Sequence, residues 1–267
     1  MTEDKILEMI KTNPIIIKSI ESPSDEVKLA AIKKDGTMIR YIKNNTAEMK
    51  EFAIKSNVWA IEFVESPTLE MQKYAVSKAW NTLKFIKDPS EELIRIGIEQ
   101  KGWAIKFSKN PTVELQKLAI KKDYDSIRFI KNPSEEVQIF AININYEALR
   151  FIDTPTLGAE IEAIRENEAA IRFISLIEED KKMAFLKVNP LVMKYFGNEI
   201  PIEKVEAALK AVLSREDVPD EYVRNFINCE SINESCGNIS MDKIIFIYKY
   251  GSNQCKRIAV DEKLNMV

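Results

Sequence analysis

Apolar and polar side chains recur along most of this chain with a period of 22 residues. The stretch from Phe107 to Arg128, FSKNPTVELQKLAIKKDYDSIR, is followed at once by FIKNPSEEVQIFAININYEALR, which repeats it almost position for position. A gapless alignment gives repeats that begin at Ser19, Tyr41, Phe63, Phe85, Phe107, Phe129, Phe151 and Phe173, after a partial repeat in residues 1–18. A unit this short cannot bury its own apolar face, so successive repeats must stack on one another.

The first half of each repeat predicts an α-helix. Position 4 of the first seven repeats is Ser, Asn, Asp or Thr, position 5 is usually Pro, and position 8 is Glu in the first six. These residue types favour an N-cap, a first helical residue and an acidic first turn, respectively. We therefore expect a helix that begins at about position 5 and buries positions 9, 12, 13 and 14. Position 13 is Ala or Gly in the same seven repeats, which indicates close approach between helices.

The second half predicts another, shorter helix. Position 17 is Asp or Asn in six repeats, which is typical of an N-cap. The helix should run from about position 18 to position 3 of the next repeat, with position 21 and the Phe-Ile pair at positions 1 and 2 in the core. Two antiparallel helices per repeat, stacked in register, predict an all-α solenoid of about nine helix pairs.

The sequence core shared by Asn110 to Ala119 and Asn132 to Ala141, NP-(S/T)-x-E-(V/L)-x-x-x-A, resembles leucine-rich repeat variant and short HEAT-like helical repeats. The resemblance covers residues 1–194. It implies that the second helix is partly 3₁₀ and that the protein is a binding scaffold. It supplies no catalytic residues.

After Lys194 the period is lost, and residues 195–267 are expected to form a C-terminal cap or a small appended α/β region. Ile202–Leu213 and Asp220–Asn228 each follow a proline and predict helices. Lys243 to Tyr250 and Cys255 to Val260 are rich in β-branched and aromatic residues and flank a Gly-containing turn, so we expect a β-hairpin.

Composition argues against most catalytic chemistry. The chain has no histidine, which excludes histidine-based nucleophilic or metal catalysis, and we found no phosphate-binding loop, acidic metal cluster or nucleophile motif. A redox or metal role for the three cysteines would need Cys229 and Cys236 to approach in space, with Cys255 further along. We expect no enzyme activity, no metal and no cofactor. The charged amino terminus lacks a signal or membrane-spanning run, so we expect a cytoplasmic protein without membrane partners.

One candidate surface is an aromatic column at positions 18 and 19 of five successive repeats. Its members are Trp59, Trp80, Trp103, Tyr124 and Tyr146. A row of Trp and Tyr at the edge of a stack is suited to binding a protein. The alternative is that each ring packs over the neighbouring repeat.

A second candidate is a basic column at position 22. It comprises Lys18, Arg40, Lys84, Lys106, Arg128, Arg150, Arg172 and Lys194, interrupted by Glu62. Such a ladder of charge is suited to an acidic partner or a phosphate chain. The alternative is that it pairs with the Glu column of position 8 or is simply solvated.

The leading functional hypothesis is a protein–protein interaction scaffold or inhibitor with the tryptophans as anchors. The alternative is a nucleic-acid-binding solenoid that uses the basic column, although residues 1–194 carry 30 acidic and 30 basic side chains and thus no basic excess. A weaker, third hypothesis places an active site in residues 195–267. The Lys, Ile and Asn bias is typical of bacterial or phage sequences. The sequence leaves the partner and the oligomeric state open.

Overall fold

The structure is a computed structural model that describes residues 2–197, 199–235 and 237–264. Its chain forms two compact units, residues 1–131 and 132–267. In both units of the described chain, short helices follow one another at regular spacing. The predicted all-α solenoid is therefore confirmed.

In the first unit, α-helices alternate with 3₁₀ helices, which are labelled η. The α-helices are α1 Glu3–Thr12, α2 Asp25–Lys34, α3 Ala47–Ser56, α4 Leu69–Lys78, α5 Glu91–Gln100 and α6 Val113–Lys122. The 3₁₀ helices are η1 Pro14–Ser19, η2 Gly36–Tyr41, η3 Val58–Phe63, η4 Trp80–Phe85, η5 Gly102–Phe107 and η6 Tyr124–Phe129. Each α-helix packs on the next α-helix and each 3₁₀ helix on the next 3₁₀ helix, so the unit has two layers with the core between them.

The second unit continues the alternation and then departs from it. Its repeat-like elements are α7 Glu135–Ile144, η7 Tyr146–Phe151, α8 Leu157–Glu166, η8 Glu168–Phe173, α9 Glu179–Leu186, η9 Pro190–Val192 and α10 Met193–Phe196. They are followed by α11 Ile202–Leu213, α12 Asp220–Asn228, α13 Lys243–Tyr250 and α14 Asn253–Leu264. Helix α11 packs on α9, and α12 packs on η9 and α14. A domain boundary between residues 194 and 195 stays a prediction.

The first helix of each repeat begins two residues later than the sequence pattern predicts. Position 6, not position 4, is the N-cap: Thr112 Oγ1, for example, accepts a hydrogen bond of 3.3 Å from the Leu115 amide. At position 4, Asn44 and Asp88 instead adopt the left-handed conformation, with φ of 53° and 50°. Asn, Asp and Ser are tolerated there because their short polar side chains offset part of the steric cost. The predicted cap at position 4 is therefore wrong, and the proline precedes the cap.

Glutamine at position 10 fastens several α-helices to the turn before them. The Nε2 atoms of Gln72, Gln116 and Gln138 donate to the carbonyl oxygen of the proline five residues earlier, at 3.0, 2.9 and 2.9 Å. Gln138 is buried, and its Oε1 also accepts from the Thr156 amide of the next repeat at 2.9 Å. These bonds satisfy loop groups that the helix itself leaves unpaired.

In the first seven repeats the second helix is 3₁₀ along its whole length and ends at position 1 of the next repeat, not at position 3 as predicted. In the eighth repeat, η9 continues directly into the short α-helix α10. Its predicted cap is confirmed at five of the six Asp or Asn positions, where the side chain accepts from the amide two residues on: Asp35, Asn57, Asn145, Asn167 and Asn189. Asp123 differs, because its carboxylate accepts from Lys101 Nζ and the Gly102 amide of the preceding repeat, both at 2.7 Å.

Two columns that the sequence places in the core are only half-buried. Ile130 and most of its equivalents at position 2 are buried, but Phe129 and the other position 1 rings keep part of their surface exposed. In the α-layer, Leu118 at position 12 is half-buried, whereas Ala119 and Ile120 are fully buried. The core predictions for positions 1 and 12 are therefore only partly confirmed.

The predicted β-hairpin is also wrong. In the described chain, residues 243–250 and 253–264 are the helices α13 and α14, and the β-type pairing is a single bridge between Ile232 and Ile239. The Asp242 carboxylate caps α13 by accepting from the Ile244 and Ile245 amides, both at 2.9 Å. This cap outweighs the β propensity of the apolar run, because packing and capping together override a weak intrinsic preference.

Candidate functional site

The 3₁₀ layer of the first unit presents aromatic and basic side chains on its outer surface. A 3₁₀ helix has three residues per turn, so positions 19 and 22 lie on one face and positions 18 and 21 on another. Positions 20 and 21 are buried, as for Ala104 and Ile105, which leaves positions 19 and 22 pointing outward. Large rings at position 18, such as Trp80 and Tyr124, stay half-buried beside them. We call the side chains of positions 19 and 22, together with the rings at position 18 and at position 1 of the next repeat, the ladder face.

Each basic residue of the ladder face lies against aromatic rings. Lys84 Nζ is 4.5 Å from the Phe85 ring centroid and 5.3 Å from that of Trp59. Lys106 Nζ is 5.1 Å from the rings of both Phe107 and Trp80. The same arrangement recurs where Lys18 and Arg40 contact Tyr41, Arg40 contacts Phe63, Lys106 contacts Phe129, and Arg128 contacts Trp103. Contacts of this kind contribute about 0.5–1 kcal/mol each at an exposed site.

The tryptophans pack on the next repeat and still reach solvent. Trp59 meets Phe85 edge to face with the ring centroids 6.2 Å apart. Equivalent pairs are Trp80 with Phe107 at 6.3 Å and Trp103 with Phe129 at 5.7 Å. Trp59 is nevertheless 37% exposed, and Trp80, Trp103 and Tyr124 are half-buried. The predicted packing over the neighbouring repeat thus occurs together with partial exposure, and a binding role for these rings stays a prediction.

One aspartate orders the end of the face in the first unit. The Asp125 carboxylate accepts a 2.8 Å hydrogen bond from Trp103 Nε1 and lies 3.2 Å from Arg128 Nη2. Position 19 and position 22 of the same 3₁₀ helix meet because they are one turn apart. Arg128 is therefore partly neutralised.

The other cations of the ladder face keep their charge uncompensated. Within the described part of the first unit, Lys18, Arg40, Lys84 and Lys106 form no ion pair with a carboxylate. Two of the position 8 glutamates pair elsewhere: Glu92 with Lys73 at 2.8 Å, and Glu114 with Arg95 at 3.5 Å. Both cations belong to position 11 of the preceding α-helix. In the described first unit, these position 22 cations therefore do not pair with the position 8 glutamates, which was one of the alternatives for the basic column.

The second unit repeats the cation–ring geometry. Arg150 lies 5.1 Å from the ring of Phe151 and 5.8 Å from that of Phe173, and Arg172 lies 5.9 Å from the ring of Tyr195. Tyr146, the fifth member of the aromatic column, is half-buried at the start of η7. Lys194 differs from the free cations of the first unit because it binds Glu168 at 2.5 Å.

The Glu168–Lys194 pair predicts a loss of stability in acid. Burial alone would raise the pKa of Glu168, but the hydrogen bond from Lys194 lowers that pKa below its usual range, and the same bond raises the pKa of Lys194. A depressed carboxyl pKa stabilises the folded state above the unfolded value, about 4.3, and this contribution disappears as pH falls through the folded pKa. We expect Glu168→Gln to lower the free energy of unfolding by up to about 1 kcal/mol at pH 7 and hardly at all near pH 2. Urea unfolding across pH 2–7 measures this, and an equal difference at both ends would contradict it.

Other surfaces were not singled out by the sequence. Helices α13 and α14 enclose an apolar groove of about 440 Å³ whose lining includes Ile244, Tyr248, Val260 and Leu264. Tyr248 is 78% exposed. This patch was missed because the sequence predicts a hairpin there, whereas the helical period places these side chains on one outer face.

The described residues hold no group of three or more His, Cys, Asp or Glu side chains arranged to hold a metal ion. Cys229 and Cys255 are buried free thiols, and burial raises the pKa of Cys255 to about 11 and that of Cys229 above its usual value. Both are therefore protonated near neutral pH and poorly nucleophilic. Cys236, which a redox or metal role would have to bring close to Cys229, lies outside the described residues.

Among the residues that the structure describes, no helix has the length and apolar content needed to cross a membrane. No protein-family model, curated protein or solved structure matches this chain.

Proposed function

We propose that this chain is a non-enzymatic scaffold or inhibitor that binds a partner protein through the ladder face. The observation that supports this most is the convergence of two separate sequence columns. Lys84 lies between Trp59 and Phe85, and Lys106 lies between Trp80 and Phe107, all within 5.3 Å of a ring centroid. Aromatic and cationic groups thus form a single surface.

This surface has the chemistry of a protein-binding hot spot. Trp, Tyr and Arg carry most of the binding energy at protein interfaces because they combine a large apolar area with a polar or charged group. The rings are already held by the next repeat, as Trp103 is by Phe129 and Asp125. Less side-chain entropy is then lost on binding.

The charge of the first unit favours an acidic partner. Residues 1–131 contain 23 basic and 19 acidic side chains, a net charge of +4. Four cations that form no ion pair in the described first unit, Lys18, Arg40, Lys84 and Lys106, lie on the ladder face, where they would speed association with an acidic surface. A cytoplasmic location and a bacterial or phage origin belong to this proposal and rest on the composition of the sequence alone.

Nucleic-acid binding is the second candidate, favoured by the uncompensated cations at Lys18, Arg40, Lys84 and Lys106. A phosphate-binding protein loses affinity steeply as salt rises, since counterions are released on binding. The half-buried rings are less suited to base stacking, because their faces are in contact with lysine and arginine side chains.

Affinity capture with a matched pair of variants tests the proposed function. The full chain would be immobilised and exposed to an extract of the source cell, and bound material identified by mass spectrometry and nucleic-acid assay. We expect a captured protein whose affinity falls about 30-fold in Lys84→Glu/Lys106→Glu, because two attractions become repulsions.

The control is Lys34→Glu/Lys122→Glu, which changes the net charge equally at the exposed carboxyl ends of α2 and α6. It should retain the partner. Capture that survives the ladder variant, or an eluate that contains nucleic acid but no protein, would overturn the proposal.

A further inference from the structure

The charges of the ladder face follow a fixed order of sign. Position 22 holds Lys18, Arg40, Glu62, Lys84 and Lys106 in five successive 3₁₀ segments, η1 to η5, and all five side chains are exposed. The order is plus, plus, minus, plus, plus. In the described part of the first unit, Glu62 forms no ion pair either.

The packing of successive 3₁₀ helices sets the spacing of these charges along the stack. Each of η1 to η5 packs on the next, and packed helices lie about 10 Å apart. Lys106 Nζ is 5.1 Å from the ring of Trp80 in η4 and 5.8 Å from the ring of Phe129 in η6. Lys106 therefore contacts rings of the 3₁₀ helices on both sides of its own, and each 3₁₀ helix presents one charge.

The spacing matches an extended polypeptide. A polyproline-II chain rises about 3.1 Å per residue with three residues per turn, so every third side chain points the same way and advances about 9 Å. A β-strand rises about 3.3 Å per residue but alternates its side chains, so every third residue changes face. In the polyproline-II conformation, therefore, every third side chain of the bound segment can face one 3₁₀ helix of the stack.

We infer that the ladder face of the first unit binds an extended segment of a partner protein with acidic side chains at every third position and a basic side chain opposite Glu62. The inference rests on the proposed function and adds the chemical class and charge order of the partner. The order is symmetric about Glu62, so it fits a segment running in either direction.

The sign change at Glu62 favours a peptide over a nucleic acid. A phosphate chain is negative at every residue and meets repulsion at Glu62, whereas a peptide encodes a lysine or arginine at that point. Glu62 thus rejects uniformly acidic polymers, while the four cations reject basic ones. Specificity comes from the one reversed charge as much as from the attractive ones.

Two synthetic peptides test this directly. The first carries glutamate at its first, fourth, tenth and thirteenth positions and lysine at its seventh, with alanine and proline between to favour polyproline II. The second replaces the central lysine with glutamate. Fluorescence anisotropy at low salt would measure the affinity of the full chain for each. We expect the lysine-centred peptide to bind about fivefold more tightly, and Glu62→Lys to reverse the preference.

Glu62→Lys should melt at the temperature of the native chain, since Glu62 is exposed and forms no ion pair within the described first unit. Equal affinity for the two peptides, binding of neither, or tighter binding of a single-stranded oligonucleotide than of both would overturn the inference. If the peptides fail while the captured protein still depends on Lys84 and Lys106, the inference is wrong and the proposed function stands.

Discussion

Replacing Ile120 with alanine is expected to lower the free energy of unfolding by about 3 kcal/mol, within the range for large-to-small changes in a core. Ile120 is fully buried at position 14 of α6, on the face that packs against the 3₁₀ layer. Truncation removes apolar contacts and leaves a cavity that neighbours on both layers cannot fill without moving. In a stack of repeats the loss also weakens the coupling between neighbouring repeats.

Leu118→Ala in the same helix is the matched control. Leu118 is only half-buried at position 12, so its truncation should cost only about 1 kcal/mol. Urea unfolding followed by far-ultraviolet circular dichroism measures both variants. Equal costs would place position 12 in the core, as the sequence pattern predicts, and would contradict the observed burial.

The periodic part of the fold is predictable from the sequence because local and long-range preferences agree there. Asn57 and Asn145 are predicted N-caps and cap their 3₁₀ helices in the structure. The buried columns at positions 9, 13 and 14 follow from helical spacing alone, as Leu115, Ala119 and Ile120 show.

The start of the first helix was harder to predict, because Ser, Thr, Asn and Asp favour both N-caps and left-handed turns. Two candidate columns, at positions 4 and 6, lie on either side of the proline. Asp88 and Ser90 have similar propensities, yet Asp88 has φ of 50° and Ser90 accepts from the Leu93 amide. The N-cap and the left-handed turn residue can be told apart only from the path that the chain takes between repeats.

The candidate site could not be predicted from the sequence of a single repeat, because its contacts join side chains of different repeats. In sequence, Trp80 and Lys106 are 26 residues apart and belong to different columns, but in the structure the lysine lies 5.1 Å from the ring. That contact depends on the 3₁₀ turn, which sets the direction of position 22, and on the register between adjacent repeats. The same contact explains why Phe107 can remain partly outside the core. The side chain of Lys106 covers part of the ring surface that the core leaves exposed.

The double variant Trp80→Ala/Trp103→Ala is expected to weaken binding of the captured partner about 100-fold or more, since a hot-spot tryptophan contributes 2 kcal/mol or above. Each ring supplies apolar area and also supports a cation, Lys106 over Trp80 and Arg128 over Trp103. The charges themselves remain, so the dependence of affinity on salt should stay unchanged.

The double variant Trp80→Phe/Trp103→Phe tests whether that loss of affinity comes from the missing aromatic rings or from disturbed packing between repeats. Phenylalanine retains a ring beside Phe107 and Phe129 but lacks the indole N–H that Trp103 donates to Asp125, so affinity should fall by only about tenfold. Both double variants must be compared below their melting temperatures, because each loses packing on the next repeat. If the dependence of affinity on salt decreased together with the affinity, the tryptophans would act mainly by holding the cations in place. The cations would then supply the binding energy, and the aromatic rings would only position them.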